Sequence, residues 1–189
     1  FVTKRARVLG DAKMYWTQVE TGSGKTWKYP SSVLAEKGAS SDFFSLTITR
    51  ENQQADTGTR MIHLAPHTTS SIVSFGAALG SSRQTFRSQI VFGAENCASA
   101  SKCDSKIIGG AAAANTMPRF AASARGEYSH EAHTGALDES AMQYLALAGI
   151  DSAEAAALLI SGIAAPVLSR LPMEFLVESR KLIEFAMRN

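Results

Sequence analysis

The stretch Gln84-Thr-Phe-Arg-Ser-Gln-Ile-Val-Phe92 carries the clearest structural signal in this chain of 189 residues. Successive side chains of a β-strand point to opposite faces, so Phe86, Ile90 and Phe92 share one side. The opposite side, which includes Arg87, is mostly polar. The stretch therefore predicts a half-buried strand.

Similar strand-length runs, rich in Thr, Ile, Val and Phe, lie on both sides of this stretch. They cover residues 43–50, 59–65, 71–77 and 102–108. No helical pattern separates them, which argues against a doubly wound α/β fold, because that fold needs a helix of about 10–15 residues between strands. Short strands at these intervals fit a sandwich, a barrel or a stacked β-solenoid. Since no clean repeat is visible, all three alternatives stay open.

The pattern becomes helical near residue 137, which divides the chain into a β-region over 1–137 and a helical domain over 138–189. Asp138 is a candidate N-cap for a first helix that stops at Gly149, and Asp151 is a candidate N-cap for a second. A last, amphipathic helix follows. Such short helices form no large core alone, so we expect them to pack on the β-region or on another protein.

The overall composition excludes several classes of protein. Hydrophobic residues make up 45% and charged residues 19%, which favours a packed core over disorder. The net charge of +2 predicts no nucleic-acid partner. The uncharged, mostly apolar stretch 155–169 has only 15 residues, whereas a membrane-spanning helix needs about 20. With only two cysteines, Cys97 and Cys103, the chain is no disulfide-dense secreted scaffold, and a reducing compartment is expected.

The string Gly22-Ser-Gly-Lys-Thr26 resembles a phosphate-binding loop only superficially. Such a loop needs a second Gly five positions before Gly24, and Val19 stands there. No helical pattern follows the string either. We therefore predict a hairpin turn and no nucleotide site on this chain.

Two histidine pairs have the wrong setting for a zinc peptidase. That motif places two His four apart on one helix face. His130 and His133 are three apart in an extended segment, so a strand would send them to opposite faces. His63 and His67 are separated by Pro66, which disfavours a helix, and are interpreted as surface or loop histidines.

Several strings, in this order, resemble scaffold subunits of the SufB/SufD family. They are Val2-Thr-Lys-Arg5, Trp16-Thr-Gln-Val-Glu-Thr-Gly-Ser23, Gln53-Gln-Ala-Asp-Thr-Gly-Thr59, Cys103-Asp-Ser105, His130-Glu-Ala132 and Leu171-Pro-Met-Glu-Phe175. The Gln-Gln-Ala-Asp-Thr-Gly and His-Glu-Ala strings favour the SufB branch. The resemblance implies a mainly β fold, a right-handed parallel β-helix followed by a small C-terminal helical domain. It also implies that this is the C-terminal part of a longer chain.

The resemblance also implies a site for a transient iron–sulfur cluster. Cys103 matches the cysteine that holds the nascent cluster, Glu131 matches a nearby carboxylate ligand, and His130 is its neighbour. Lys4 matches a lysine on the path of sulfur. Thiolate is the ligand that iron–sulfur clusters prefer, whereas a carboxylate or imidazole lets a cluster leave. From composition alone, Cys103 could equally be a small buried apolar residue.

The partners are likewise implied by the resemblance. The ABC-type ATPase SufC would dock on the C-terminal helices, and SufD or a second SufB would pair with the last β-turns. A cysteine desulfurase with its carrier would supply sulfur. The chain itself would be a scaffold and no enzyme, in the cytoplasm or, in a eukaryote, the plastid stroma. The alternative is a SufD-like architectural subunit that stabilises the complex without holding the cluster.

Overall fold

The computed structural model describes residues 3–188; Val2, in the first of the family-like strings, lies outside them. The strands within that range are β1 (Arg5–Val8), β2 (Lys13–Thr21), β3 (Lys25–Lys28), β4 (Ser31–Leu34), β5 (Ser40–Thr49), β6 (Gln54–His63), β7 (Thr69–Leu79), β8 (Arg83–Phe92), β9 (Cys97–Ile108), β10 (Ala113–Ala122) and β11 (Gly126–Ala136). The helices are α1 (Glu139–Leu147), α2 (Ser152–Ile163), α3 (Ala165–Leu168) and α4 (Met173–Arg188).

The strands form two parallel sheets, and the chain alternates between them. Sheet A has the order β1-β4-β6-β8-β10, with β3 also paired to β6, and sheet B has the order β11-β9-β7-β5-β2. Each turn of the chain adds one strand to each sheet, except that the second turn adds both β3 and β4 to sheet A, which makes a β-solenoid of about five turns. The fold predicted from the family resemblance, a parallel β-helix followed by a small helical region, is confirmed.

From β5 onward, the register of sheet B advances by 29 residues per turn, from Ser40 to Thr69 to Ala98. Stacked positions share a face of the sheet but no single residue type, as Phe43, Ile72 and Ser101 illustrate. For this reason the repeat is invisible as sequence identity. The solenoid interior needs side chains that fit their neighbours, and several types satisfy that requirement.

The interior of the solenoid holds alternate residues of the strands. Phe86, Ile90 and Phe92 of β8 are buried there and Arg87 is exposed, so the predicted alternation is confirmed. The apolar interior cluster also contains both thiols. Its buried members are Phe43, Met61, Ile72, Phe86, Ile90, Phe92, Cys97 and Cys103.

The helices pack on the outer face of sheet B, which is one of the two alternatives expected from the sequence. Phe44 and Leu46 of β5 join Ile160 of α2 and Ile183 of α4 in one buried cluster. Asp138 caps α1, accepting hydrogen bonds from the Ser140 and Ala141 amides. No helix among residues 3–188 is both long and apolar enough to cross a membrane.

The prediction of a hairpin at Gly22-Ser-Gly-Lys-Thr26 is wrong. The string joins β2 of sheet B to β3 of sheet A, and β3 pairs in parallel with β6. A hairpin would need β2 and β3 to pair with each other in antiparallel fashion. The string is therefore a corner between the two sheets of the solenoid.

Candidate functional site

Cys103 lies inside the solenoid, on the fourth turn. Its residue is 3% exposed and is flanked in the register of sheet B by Ser74 of β7 and Ala132 of β11. Burial raises the pKa of the Cys103 thiol to about 12. The thiol is therefore protonated at neutral pH, and it must lose this proton before it can bind a metal.

His130 points into the same interior from β11. Its Nδ1 is hydrogen-bonded to Ser101 Oγ at 2.5 Å, and Ser101 is its in-register neighbour on β9. Residues two apart on a strand share a face, so Ser101 and Cys103 both point inward. The structure thus brings the predicted thiol and the predicted imidazole to one face of the last two turns.

Aromatic rings line the interior of the last turn beside His130. The Phe120 and Tyr128 rings stack with centroids 4.7 Å apart, and the Tyr128 and His130 rings lie 6.4 Å apart at a small angle. Phe92 meets Phe120 edge-on at 5.2 Å. The His130 ring therefore lies between the Ser101 hydroxyl of β9 and the aromatic rings of its own turn.

Glu131 leaves β11 on the opposite, outer face. It is in register with Lys102, whose Nζ lies 3.8 Å from its Oε2, and both side chains are more than two-thirds exposed (76% and 71%). The expectation that one iron reaches both Cys103 and Glu131 is therefore wrong for the described structure, because the sheet separates them. The prediction that His130 and His133 face opposite ways is confirmed, since both lie in β11 and are three residues apart.

Lys4 lies far from this site. It is exposed just before β1, and its carbonyl accepts a hydrogen bond from the Ser31 amide. Three strand spacings separate the first turn from the turn of Cys103, which is roughly 14 Å along the solenoid axis. The structure does not bring Lys4 to the thiol, and its role on a sulfur path stays a prediction.

The interpretation of His63 as a surface or loop residue is wrong. His63 ends β6 and is fully buried, with Nδ1 2.8 Å from Thr68 Oγ1 and Nε2 2.9 Å from Ser70 Oγ. Burial lowers the pKa of His63 to about 4, although the Thr68 hydrogen bond opposes this shift. The signal was present in the sequence, because Met61 and His63 are two apart and share the interior face. His67 is an exposed loop residue, as predicted.

Cys97 is buried, and its thiol is hydrogen-bonded to neighbouring groups. Its Sγ donates to the Ala94 carbonyl at 3.0 Å and accepts from Thr68 Oγ1 at 3.4 Å, and the residue is 1% exposed. Within residues 3–188, no group of three or more His, Cys, Asp or Glu side chains is arranged to hold a metal ion. Cys103 and His130 therefore belong to no such group in the described part of the chain.

Comparison with known proteins identifies the family to which this sequence is similar. The profile described as "SUF system FeS cluster assembly, SufBD core domain" matches residues 1–163. An iron–sulfur cluster assembly SufBD family protein of Synechocystis is 43% identical over 187 residues, which cover 97% of this chain and 39% of that protein. The chloroplastic relative ABCI8 of Arabidopsis thaliana is 44% identical over 187 residues, or 97% of this chain and 34% of that protein. This chain therefore belongs to the SufBD family of the SUF iron–sulfur cluster assembly system.

Proposed function

We propose that this chain serves as part of a SufB-type scaffold, on which a nascent iron–sulfur cluster is built and from which it is passed on. The cluster is cargo rather than a resident cofactor. One observation carries the proposal: Cys103 and His130 share the interior face of the last two turns, with the imidazole fixed by Ser101. Membership of a family named for this assembly system supports the same function.

The two donors suit a cluster that must be released. A thiolate binds iron strongly, and an imidazole binds it more weakly. Burial keeps the Cys103 thiol protonated until iron arrives, and a bound metal then removes the proton outright. If this chain supplies two donors, the other coordination positions on the iron atoms are filled by partner proteins or by exchangeable ligands.

Free strand edges support a paired subunit at the same end of the solenoid. Within the described residues, β10 pairs only with β8 and β11 only with β9. Their outer edges present backbone amides and carbonyls that suit strand addition. We assign this edge to SufD or to a second SufB. We propose that Glu131, on the outer face of β11, contacts that subunit and does not bind the iron held by Cys103.

The helical region supports the docking of the SufC ATPase. Large apolar side chains are exposed on its helices, namely Tyr144, Leu147, Leu158, Met173 and Phe175. Exposed apolar patches of this kind typically mark interaction sites. On this proposal the chain is no enzyme, because ATP hydrolysis belongs to SufC and sulfur arrives from a cysteine desulfurase through a carrier.

Two further expectations remain part of the proposal. Lys4, exposed at the first turn, is assigned to the path of incoming sulfur. The compartment is the cytoplasm, or the plastid stroma in a eukaryotic source. The name of the Arabidopsis relative, which is chloroplastic, supports the plastid for such a source.

The test is anaerobic reconstitution of the full-length protein in its complex, followed by measurement of bound iron and sulfide. Cys103→Ser should lose most of the iron that the wild type binds. Cys97→Ser is the matched control, because Cys97 is equally buried but is bonded to the Ala94 carbonyl. Equal iron content in the wild type and Cys103→Ser would remove the thiol from the proposal.

A SufD-like architectural role is the second candidate. The protonated state of Cys103 and the lack of a three-residue metal group in the described part of the chain favour it. This role predicts robust capture of the ATPase by the full-length protein together with iron content that does not depend on Cys103. Loss of iron in Cys103→Ser with ATPase capture retained would exclude it.

A further inference from the structure

Three arginines form a column on the outer face of sheet A, away from the proposed cluster site. The register pairs, in order along the column, are Arg5 with Ser31, Ser31 with Arg60, Arg60 with Gln89 and Gln89 with Arg119. We call Arg5, Arg60 and Arg119 the arginine column. All three are exposed. Each is two strand spacings from the next, or about 10 Å.

The charge of the arginine column is not compensated within the described residues. None of its three guanidinium groups forms an ion pair with another side chain in residues 3–188. Arg87 on the same face differs, because its Nε and Nη2 bind the Asp56 carboxylate at 2.9 and 3.1 Å. The column therefore offers unpaired donors beside an arginine that is already neutralised.

The surface around the column is shaped and partly apolar. A groove of about 560 Å³ lies against Arg60 and Arg119, with Tyr29, Met117 and Pro118 among its other walls. A second column runs parallel to the first, two positions further along the strands, and is apolar and half-buried. Its members are Val33, Ile62 and Val91.

We propose that this face docks an acidic segment of a partner protein that runs along the solenoid axis. Guanidinium groups bind carboxylates through paired hydrogen bonds, which makes the arginine column complementary to carboxylates about 10 Å apart. In a helix, residues seven apart are separated by about 10.5 Å, so acidic side chains at that interval match the column. Apolar residues of the same segment would then cover the Val33–Ile62–Val91 column.

A nucleic acid fits this surface less well than a protein. Its charged backbone would lie against the apolar column, and burying charge there is costly. Nucleic-acid binders also gain affinity by neutralising many phosphates, whereas this chain carries a net charge of only +2. The inference is independent of the proposed function, because the arginine column is outside the solenoid and Cys103 and His130 are inside.

The experiment uses the full-length protein and a fluorescein-labelled helical peptide of about 21 residues, with Glu at every seventh position and Leu on the adjoining stripe. Binding is followed by fluorescence anisotropy. The double variant Arg60→Gln/Arg119→Gln should weaken binding at least about tenfold. Arg83→Gln/Arg125→Gln, which removes the same charge from exposed positions outside the arginine column, should change it less than about twofold.

Three results would overturn the inference. One is equal weakening by the two double variants, which would mean that only bulk charge matters. Another is equal binding of a peptide in which Gln replaces each Glu. The third is preferential binding of a single-stranded oligonucleotide of matched charge, which would assign the face to nucleic acid. Because all four arginines are exposed, thermal melts of the variants should coincide with that of the wild type.

Discussion

Glu131 immediately precedes Ala132, the in-register neighbour of Cys103, yet its side chain leaves sheet B on the face opposite the thiol. The strand alternation that sends Glu131 outward sends His130 inward, where it bonds to Ser101. Two adjacent residues of one short string therefore have different surroundings. The interior face of the last two turns therefore carries the Cys103 thiol and the His130 imidazole, and the Glu131 carboxylate lies on the outer face.

Disulfide trapping tests this arrangement directly. Ala132→Cys would place a second thiol beside Cys103 on the same face of a neighbouring strand, where the separation of the Cα atoms suits a disulfide. Mild oxidation of the full-length protein should then form the Cys103–residue 132 bond. Mass spectrometry of non-reduced peptides detects it.

Glu131→Cys is the matched control for trapping. Its thiol would point to solvent beside Lys102, with the sheet between it and Cys103. No bond between residues 103 and 131 should form under the same oxidation. Efficient trapping at 131 and none at 132 would show that the described faces of β11 are reversed.

The stability of the protein should fall in mild acid because of His63. Its pKa is about 4 in the folded chain and about 6.5 when unfolded, so the neutral ring stabilises the fold fully above pH 6.5. This contribution is lost as the pH falls toward 4. Between pH 6.5 and pH 5 the free energy of unfolding should drop by about 2 kcal/mol from this group. Urea unfolding at the two pH values measures the change.

Substitutions separate the contribution of His63 to this pH dependence from the contributions of other titratable groups. His63→Gln keeps a polar side chain near Thr68 and Ser70 but has no ring to titrate, so the drop between the two pH values should shrink. His67→Gln alters an exposed loop histidine and should leave the drop unchanged. The same drop in the wild type and His63→Gln would contradict the assignment.

Gly58 should tolerate no side chain. A Cβ at this position would lie 1.8 Å from the carbonyl oxygen of Arg87, its in-register neighbour on β8, so the two strands would have to separate. Gly58→Ala should lower the free energy of unfolding by about 3 kcal/mol. Gly24→Ala is the control, because nothing lies within 4 Å of its Cβ, and it should change stability by less than about 0.5 kcal/mol. Equal stabilities of the two variants would contradict this packing.

The strands β5 to β9 could be predicted from sequence as strand-length runs, whereas β10 could not. In β8 every second residue from Phe86 to Phe92 is buried, and three of these four residues are apolar. The β10 segment Ala113–Ala122 is mostly exposed, contains Pro118 and has weak strand propensity. It is a strand because it pairs residue by residue with β8, and such pairing is not visible in a single sequence.

For the site, the sequence identifies the residue types, but it gives the faces of only some of them. Alternation within one strand was sufficient to separate His130 from His133. Whether Cys103 and Glu131 meet depends on the register between β9 and β11, which is set by turns of 29 residues with no identifiable repeat. Pro66 indicates a loop near His63, whereas β6 extends to His63 itself.

The most direct test of the account is the iron content of the anaerobically reconstituted complex with His130→Ala and with His133→Ala. The two histidines lie on the same strand, and only His130 faces the interior beside Ser101 and Cys103. We predict that His130→Ala loses most of the bound iron, whereas His133→Ala binds as much as the wild type. Full iron content in His130→Ala, or equal losses in both variants, would contradict an interior site built on Cys103 and His130.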